Sequence, residues 1–227
     1  MLSVIIPCLN EAEGIVDTLT ALAPLRTRGV EVVVVDGGSD DATASLAHPL
    51  ADQVITTKRG RALQMNAGAA LAHGDILLFL HADCRLPGRA DGLITDGLNR
   101  AQKTWGRFDV ELDGNSPLLH VVGALMNLRS RLTGVSTGDQ GLFVTRSLFE
   151  AAGKFPQFPL MEDVALTKQL KHYGRPLNLR HRMRVSGRRW ERHGVLRTVL
   201  LMWRLRWQYW LGADPGELAQ HYAPHKL

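Results

Sequence analysis

A chain of 227 residues, 45% hydrophobic and 22% charged, has room for one α/β domain and an appendage, at roughly 150 residues per domain. Its aliphatic content excludes disorder, and 22 glycines and 10 prolines exclude a coiled coil. Two cysteines, Cys8 and Cys84, are too few for a disulfide scaffold and sit at no zinc-ligand spacing. The net charge of +5 is unevenly spread, because residues 171–210 hold eleven Lys and Arg against one acid, Glu191. An acidic body with a basic C-terminal segment points to an anionic partner, with nucleic acid, a membrane surface and a phosphorylated small molecule all open.

The first half alternates strands and helices. Residues 3–7 form a short apolar run, residues 10–22 carry helical spacing at Ile15, Leu19 and Leu22, and residues 31–35 (EVVVV) are apolar without alternation, as in a parallel strand covered on both faces. A glycine turn and the caps Ser39 or Asp40 introduce a helix over 42–47. A strand over 53–56, an alanine-rich helix over 61–72 and a strand over 76–80 (ILLFL) follow. This order predicts a parallel, doubly wound sheet with its ligand site at the C-terminal strand ends, here residues 7–11, 36–41 and 81–83. Further on, strands are predicted over 102–110 and 140–145, and helices over 118–131 and 163–173.

The N-terminus has no basic region ahead of a long apolar run, so no secretory signal is expected. No uncharged stretch reaches membrane-span length, since residues 195–211 are interrupted by Arg197, Arg204 and Arg206. A cytoplasmic location is the expectation. Residues 195–211 also read as a basic amphipathic helix, with Leu196, Val199, Leu200, Trp203, Trp207 and Trp210 recurring at three- and four-residue spacing. Packing on the main domain, a homodimer interface and peripheral contact with an anionic membrane all fit that stripe.

Three acidic segments carry the chemistry. Asp36 ends an apolar strand before a glycine turn, where a carboxylate can meet a base or ribose; the turn residues 39–41 read equally well as helix caps. Asp83 follows the strand ILLFL, where it can ligate a hard divalent ion or stand as an exposed turn acid. Glu162 and Asp163 open a helix, where acids either complement the dipole or serve as a general base.

The segments SVIIPCLNEAEGI, VVVVDGGSDDAT, ILLFLHADCRLP and GKFPQFPLMEDVALTKQLKHYG, in this order and spacing, resemble family-2 glycosyltransferases over residues 3–174. The later segments SGRRWERHGVLRT and LGADPGELAQHY are similar to a soluble arsenosugar-biosynthesis and selenodomain-associated subgroup. The resemblance implies a GT-A fold: a Rossmann-like, mostly parallel central sheet flanked by helices, with a helical C-terminal extension. It also implies inverting transfer of a sugar from a nucleotide-sugar donor, best guessed as a UDP-sugar, to a small-molecule or lipid-linked acceptor. By the same resemblance Pro7 and Glu11 belong to the nucleotide-binding segment, Asp36 meets the uracil or ribose, and Asp83 is the last acid of the D-x-D motif, holding Mg2+ or Mn2+. Asp163, with Glu162 beside it, is the catalytic base. Two positions depart from the pattern, with His81 standing for the first D-x-D acid and Gly37 for the second acid of the D-D-G-S turn.

Arg59 and Arg61 are candidate diphosphate contacts, and Arg188, Arg189 and Trp190 a second set, with arginine gripping phosphate and Trp190 stacking on a base or sugar. Surface arginines and a buried anchor tryptophan explain these residues as well. The expected organisation is a glycosyltransferase domain over 1–190 and a basic helical extension over 191–227. Two other functions compete with this one. A sugar nucleotidylyltransferase requires a basic, glycine-rich loop after the first strand, where this chain has Glu11 and Glu13. A nucleic-acid-binding module has the acidic body and cleft carboxylates against it.

Overall fold

The computed structural model describes residues 1–222. It opens with β1 (Leu2–Cys8), α1 (Ile15–Arg26), β2 (Glu31–Asp36), α2 (Thr43–Ala47), β3 (Gln53–Thr56), α3 (Arg61–Leu71) and β4 (Ile76–Phe79). These four strands are mutually parallel in the order β3-β2-β1-β4, with Val4 opposite Val32 and Leu78. Val32 to Val35 are fully buried, as the unalternating run requires. Helix α1 starts five residues later than the spacing predicts. Asn10 has a left-handed φ of 53°, and the chain turns through Glu11, whose carbonyl accepts the Gly14 and Ile15 N–H groups, before it winds.

Next come β5 (Cys84–Arg85), α4 (Ala90–Ala101), β6 (Trp105–Asp113), α5 (Leu118–Thr133), β7 (Leu142–Thr145), α6 (Arg146–Ala151) and α7 (Glu162–Leu170), which runs into a 3₁₀ turn. Then follow β8 (Leu177–Ser186), α8 (Arg188–His193), α9 (Val195–Trp210) and α10 (Pro215–Tyr222). The sheet continues β4-β7-β6-β8-β5, with β7 antiparallel to β4 and β6, and β8 parallel to β6. The architecture is the α/β sheet expected, parallel in its first half and mixed in its second.

Of the elements that go unseen in the sequence, three have evident physical reasons. β8 (LNLRHRMRVS) carries four basic residues in and around a half-exposed face, and among its last four residues only Met183 and Val185 are buried. α4 buries only Ala90, Ile94 and Leu98 and contains two glycines, so its apolar signal is thin. α10 is a short helix after Pro215 whose buried residues are Leu218 and Tyr222.

Alternating strand residues divide the core into two layers. Val4, Ile6, Val34 and Phe108 pack with α1, α4 and α5 through Leu19, Ile94 and Leu119. Ile5, Val35, Leu77 and Trp105 pack on the other face with α3, α6 and α7 through Met65, Phe149 and Leu166. A third cluster joins Leu160, Met161 and Val164 to Leu205, Leu218 and Tyr222, so α9 and α10 are packed against the start of α7. Helix α5 is pinned to β6 by Asn127, whose side-chain amide brackets Val110 with bonds of 2.9 Å to its N–H and carbonyl.

Candidate active site

A cavity of about 610 Å³ opens at the C-terminal ends of β1 and β4. Eight of the eleven residues singled out from the sequence line it: Pro7, Glu11, Arg59, Arg61, Asp83, Glu162, Asp163 and Trp190; Arg188 is exposed, its Nη1 3.9 Å from Glu13 Oε2. The side chain of Arg189 lies outside the described residues. Trp190 both lines the cavity and packs against the core layer of α1.

Asp36 sits at the end of β2 but does not line the cavity. It is 3% exposed, and its Oδ2 accepts the Gly38 and Ser39 N–H groups at 3.0 and 2.9 Å while Oδ1 accepts the Ser39 hydroxyl. In this structure the Asp36 carboxylate closes its own turn. Beneath it, burial and the Asp36 carboxylate push the Cys8 thiol up to about 12, which makes it an inert apolar filler.

Glu162 and Asp163 are placed by a strained turn. Met161 has a φ of 67°, uncommon for a residue with a side chain, and its packing against the C-terminal helices holds that conformation. Helix α7 starts at the next residue, which puts both carboxylates at its N-terminus. Glu162 is 2% exposed, and Arg61 Nη1 lies 3.3 Å from its Oε1. Burial raises the Glu162 pKa, and Arg61 opposes that in part. Asp163 is half-buried; its Oδ2 accepts the Gly138 N–H at 2.7 Å and its Oδ1 the Val164 N–H at 2.6 Å. One carboxylate is thus sequestered in an ion pair while the other is oriented by backbone at the cavity wall.

Close by lie His81, Asp83 and Cys84, whose potential ligand atoms are all within 4.8 Å of one another. Cys84 is buried away from the cavity lining, and desolvation together with Asp83 raises its thiol pKa. Asp139 backs His81, its Oδ1 3.3 Å from His81 Nδ1. Burial disfavours the Asp139 charge, but His81 and more distant Arg61 and Arg206 outweigh it and lower its pKa to about 2. A carboxylate and an imidazole, completed by water or phosphate oxygens, suit Mn2+ and Mg2+, and Asp139 orients the imidazole. The donor set therefore fits a divalent ion even with His81 in place of an acid. Glu11 faces the same space, its pKa raised first by burial and then by Asp83.

Sequence reasoning misses Asp139. It lies 58 positions from His81, and its only local signal is the Gly-Asp-Gln-Gly turn ahead of the apolar run LFV. Gly138 permits the contact, since a Cβ there would overlap the His81 ring. Arg206 is missed likewise, because in the sequence it merely interrupts an apolar stripe. With Thr198, Met202 and Tyr222 it lines the cavity from α9 and α10, and burial lowers its pKa against the pull of Asp163 and Asp139.

Residues 3–126, more than half of the chain, match the family model described as glycosyl transferase family 2. A PGL/p-HBAD biosynthesis glycosyltransferase of Mycobacterium bovis is 40% identical over 90 residues, which are 37% of this chain and 35% of that protein. The match thus spans about a third of the curated relative. Among solved structures, TarS 1-349 of S. aureus in complex with UDP superposes with a TM-score of 0.66 at 18% identity, covering 82% of this chain and 60% of that one. The mannosyltransferase PcManGT from Pyrobaculum calidifontis, in complex with GDP-Man and Mn2+, gives 0.61 at 25% identity, covering 81% and 56%. These likenesses show the GT-A fold.

Proposed function

Because this chain belongs to glycosyl transferase family 2, we propose that its cavity transfers a sugar, with inversion, from a nucleotide-sugar donor to a hydroxyl acceptor. The observation that carries the reading is that an oriented carboxylate and a cluster of cation-binding donors share one cavity. The Gly138 amide holds Asp163, the neighbouring Asp139 meets His81, and Asp83 lines the same space.

Inversion is a single in-line displacement. The acceptor oxygen bonds to the anomeric carbon while the bond from that carbon to the diphosphate oxygen breaks, its electron pair leaving with the diphosphate. The acceptor proton passes to Asp163, a general-base step that contributes about 10²- to 10⁴-fold in such reactions. The two N–H groups on Asp163 fix the direction in which its free lone pairs point. Glu162 is unsuited to the same role because its carboxylate is buried against Arg61. Asp83 and His81, the latter oriented by Asp139, would hold the divalent ion, which when bound neutralises charge on the departing diphosphate as a Lewis acid. Glu11, at the end of β1, is placed to accept hydrogen bonds from donor hydroxyls, and Arg59 lies at the cavity edge on the approach to α3. A UDP-sugar is the donor favoured by the sequence resemblance, and TarS, the fold neighbour above, carries UDP.

A thermal-shift panel of nucleoside diphosphates and nucleotide sugars, each with and without Mn2+, tests this reading. Saturating donor at a hundred times its Kd stabilises a fold by about 2.7 kcal/mol. A metal-dependent rise in Tm with one nucleotide class is expected. No rise with any of them would overturn the reading. An acceptor panel run with the selected donor, including the arsenical acceptors implied by the subgroup resemblance, then identifies the second substrate.

A further inference from the structure

Helices α5 and α9 touch each other, and each has an apolar stripe that nothing among the described residues covers. On α5 the inward positions Leu119, Gly123, Met126 and Asn127 meet the sheet, while Leu118, Val121, Leu125, Leu128 and Leu132 face outward, each 45–75% exposed. On α9, Leu196, Leu200, Trp203, Trp207 and Trp210 repeat at four- and three-residue steps along one face, each 62–68% exposed. Exposed apolar area of this extent is rare on a monomer and marks an interaction surface.

Charge identifies the occupant. Neither helix contains an Asp or Glu, and together they carry Arg129, Arg131, Arg197, Arg204 and Arg206. Arg197 and Arg204 are exposed and follow stripe residues Leu196 and Trp203 by one position, which places them along one flank of the stripe. Glu191, the single acid of residues 171–210, is already engaged by the Asn115 N–H at 2.5 Å. A second copy of the chain would bring two such cationic rims together at a symmetric interface, whereas an anionic bilayer accepts both the apolar stripe and its arginines.

We propose that the outer faces of α5 and α9 dock this protein on an anionic lipid surface, with the two stripes in the interface and Arg197 and Arg204 against the headgroups. The opposite edge of α9 lines the cavity through Thr198, Met202 and Arg206, so one helix connects the docked face to the candidate active site. The docking stands on surface chemistry alone and does not depend on the transferase reading. Among the described residues no helix is long and apolar enough to cross a membrane, so the contact is peripheral.

Co-sedimentation of the full chain with phosphatidylcholine vesicles, with and without phosphatidylglycerol, tests the proposal, with tryptophan quenching by brominated lipid as a second readout. Binding to the anionic vesicles is expected, together with quenching. Trp203→Ser with Trp207→Ser, and separately Arg197→Glu with Arg204→Glu, should each weaken binding by about tenfold or more. Both pairs are exposed, and retention of the wild-type Tm confirms that each variant is folded. Absence of binding to anionic vesicles overturns the proposal. So does a stable dimer by light scattering that the tryptophan variant dissociates, because the stripe would then be covered by a second copy.

Discussion

Arg61 Nη1 stands 3.3 Å from Glu162 Oε1, joining the first turn of α3 to the first turn of α7 beneath the cavity. Burial alone would weaken the Arg61 charge, but Glu162, Asp163 and Asp139 outweigh it and keep the guanidinium firmly protonated. An arginine expected from the sequence as a diphosphate contact is thus also the counter-ion of a buried acid. Arg61→Gln leaves that acid unpaired and should cost about 1–3 kcal/mol, less than a wholly buried pair because the arginine reaches solvent. Urea denaturation measures the loss. Adding Glu162→Gln should recover most of it, since the uncompensated charge is then gone.

The residues proposed to hold the divalent ion should give a graded outcome. Asp83→Asn should abolish measurable Mn2+ binding. Asp139→Asn should weaken it about 10- to 100-fold, the usual effect of losing a group that orients or supplements a ligand. Mn2+ titration followed by electron paramagnetic resonance, with UDP present, reads both variants directly. Equal affinity of both variants and wild type would place the ion elsewhere.

Away from the cleft, Glu31 ties the start of the sheet together. It accepts the Ser3 hydroxyl at 2.5 Å, the His73 N–H at 2.7 Å and the Gln53 amide at 3.0 Å. Burial works to raise its pKa, but these donors prevail and lower it. A carboxylate whose folded pKa is depressed adds stability that is fully present above its unfolded value, near 4.5, and is lost as pH falls through the folded value. Glu31→Gln should therefore lower stability by about 1–2 kcal/mol at pH 7. The gap between variant and wild type should close as thermal melts are repeated from pH 5 downward.

Gly68 sets the approach of α3 to the sheet. A Cβ there would fall 2.5 Å from Ile5 Cγ2 and 2.9 Å from Val35 Cγ2, both on strands in the fully packed layer. Gly68→Ala should destabilise by about 1–3 kcal/mol through overpacking, despite the better helix propensity of alanine. Denaturant midpoints of the two proteins decide it.

Legibility from sequence follows the strength of the hydrophobic signal. EVVVV and ILLFL are continuous apolar runs, so β2 and β4, and with them the strand ends that carry the cleft, are legible from residue order alone. β8 is hidden because its arginines alternate with few buried residues, and its pairing with β6 is set by tertiary contact alone. Among the candidate site residues, those directly after strong strands stand at the cavity wall, as with Glu11 and Asp83. Local spacing does not reveal that the Asp36 carboxylate also accepts hydrogen bonds from Gly38 and Ser39. Asp139 and Arg206 are invisible for a different cause. Their contribution depends on a loop and a helix being folded back over the strand ends, a relationship with no sequence period.

Asp163 is the group proposed to take the proton of the acceptor hydroxyl. The most direct measurement is nucleoside diphosphate release in the presence of donor, acceptor and Mn2+, by wild type and Asp163→Asn, with donor affinity of both proteins determined by calorimetry. The account predicts matched donor affinity and turnover reduced by about 10²- to 10⁴-fold in the variant. Wild-type turnover by Asp163→Asn would contradict it.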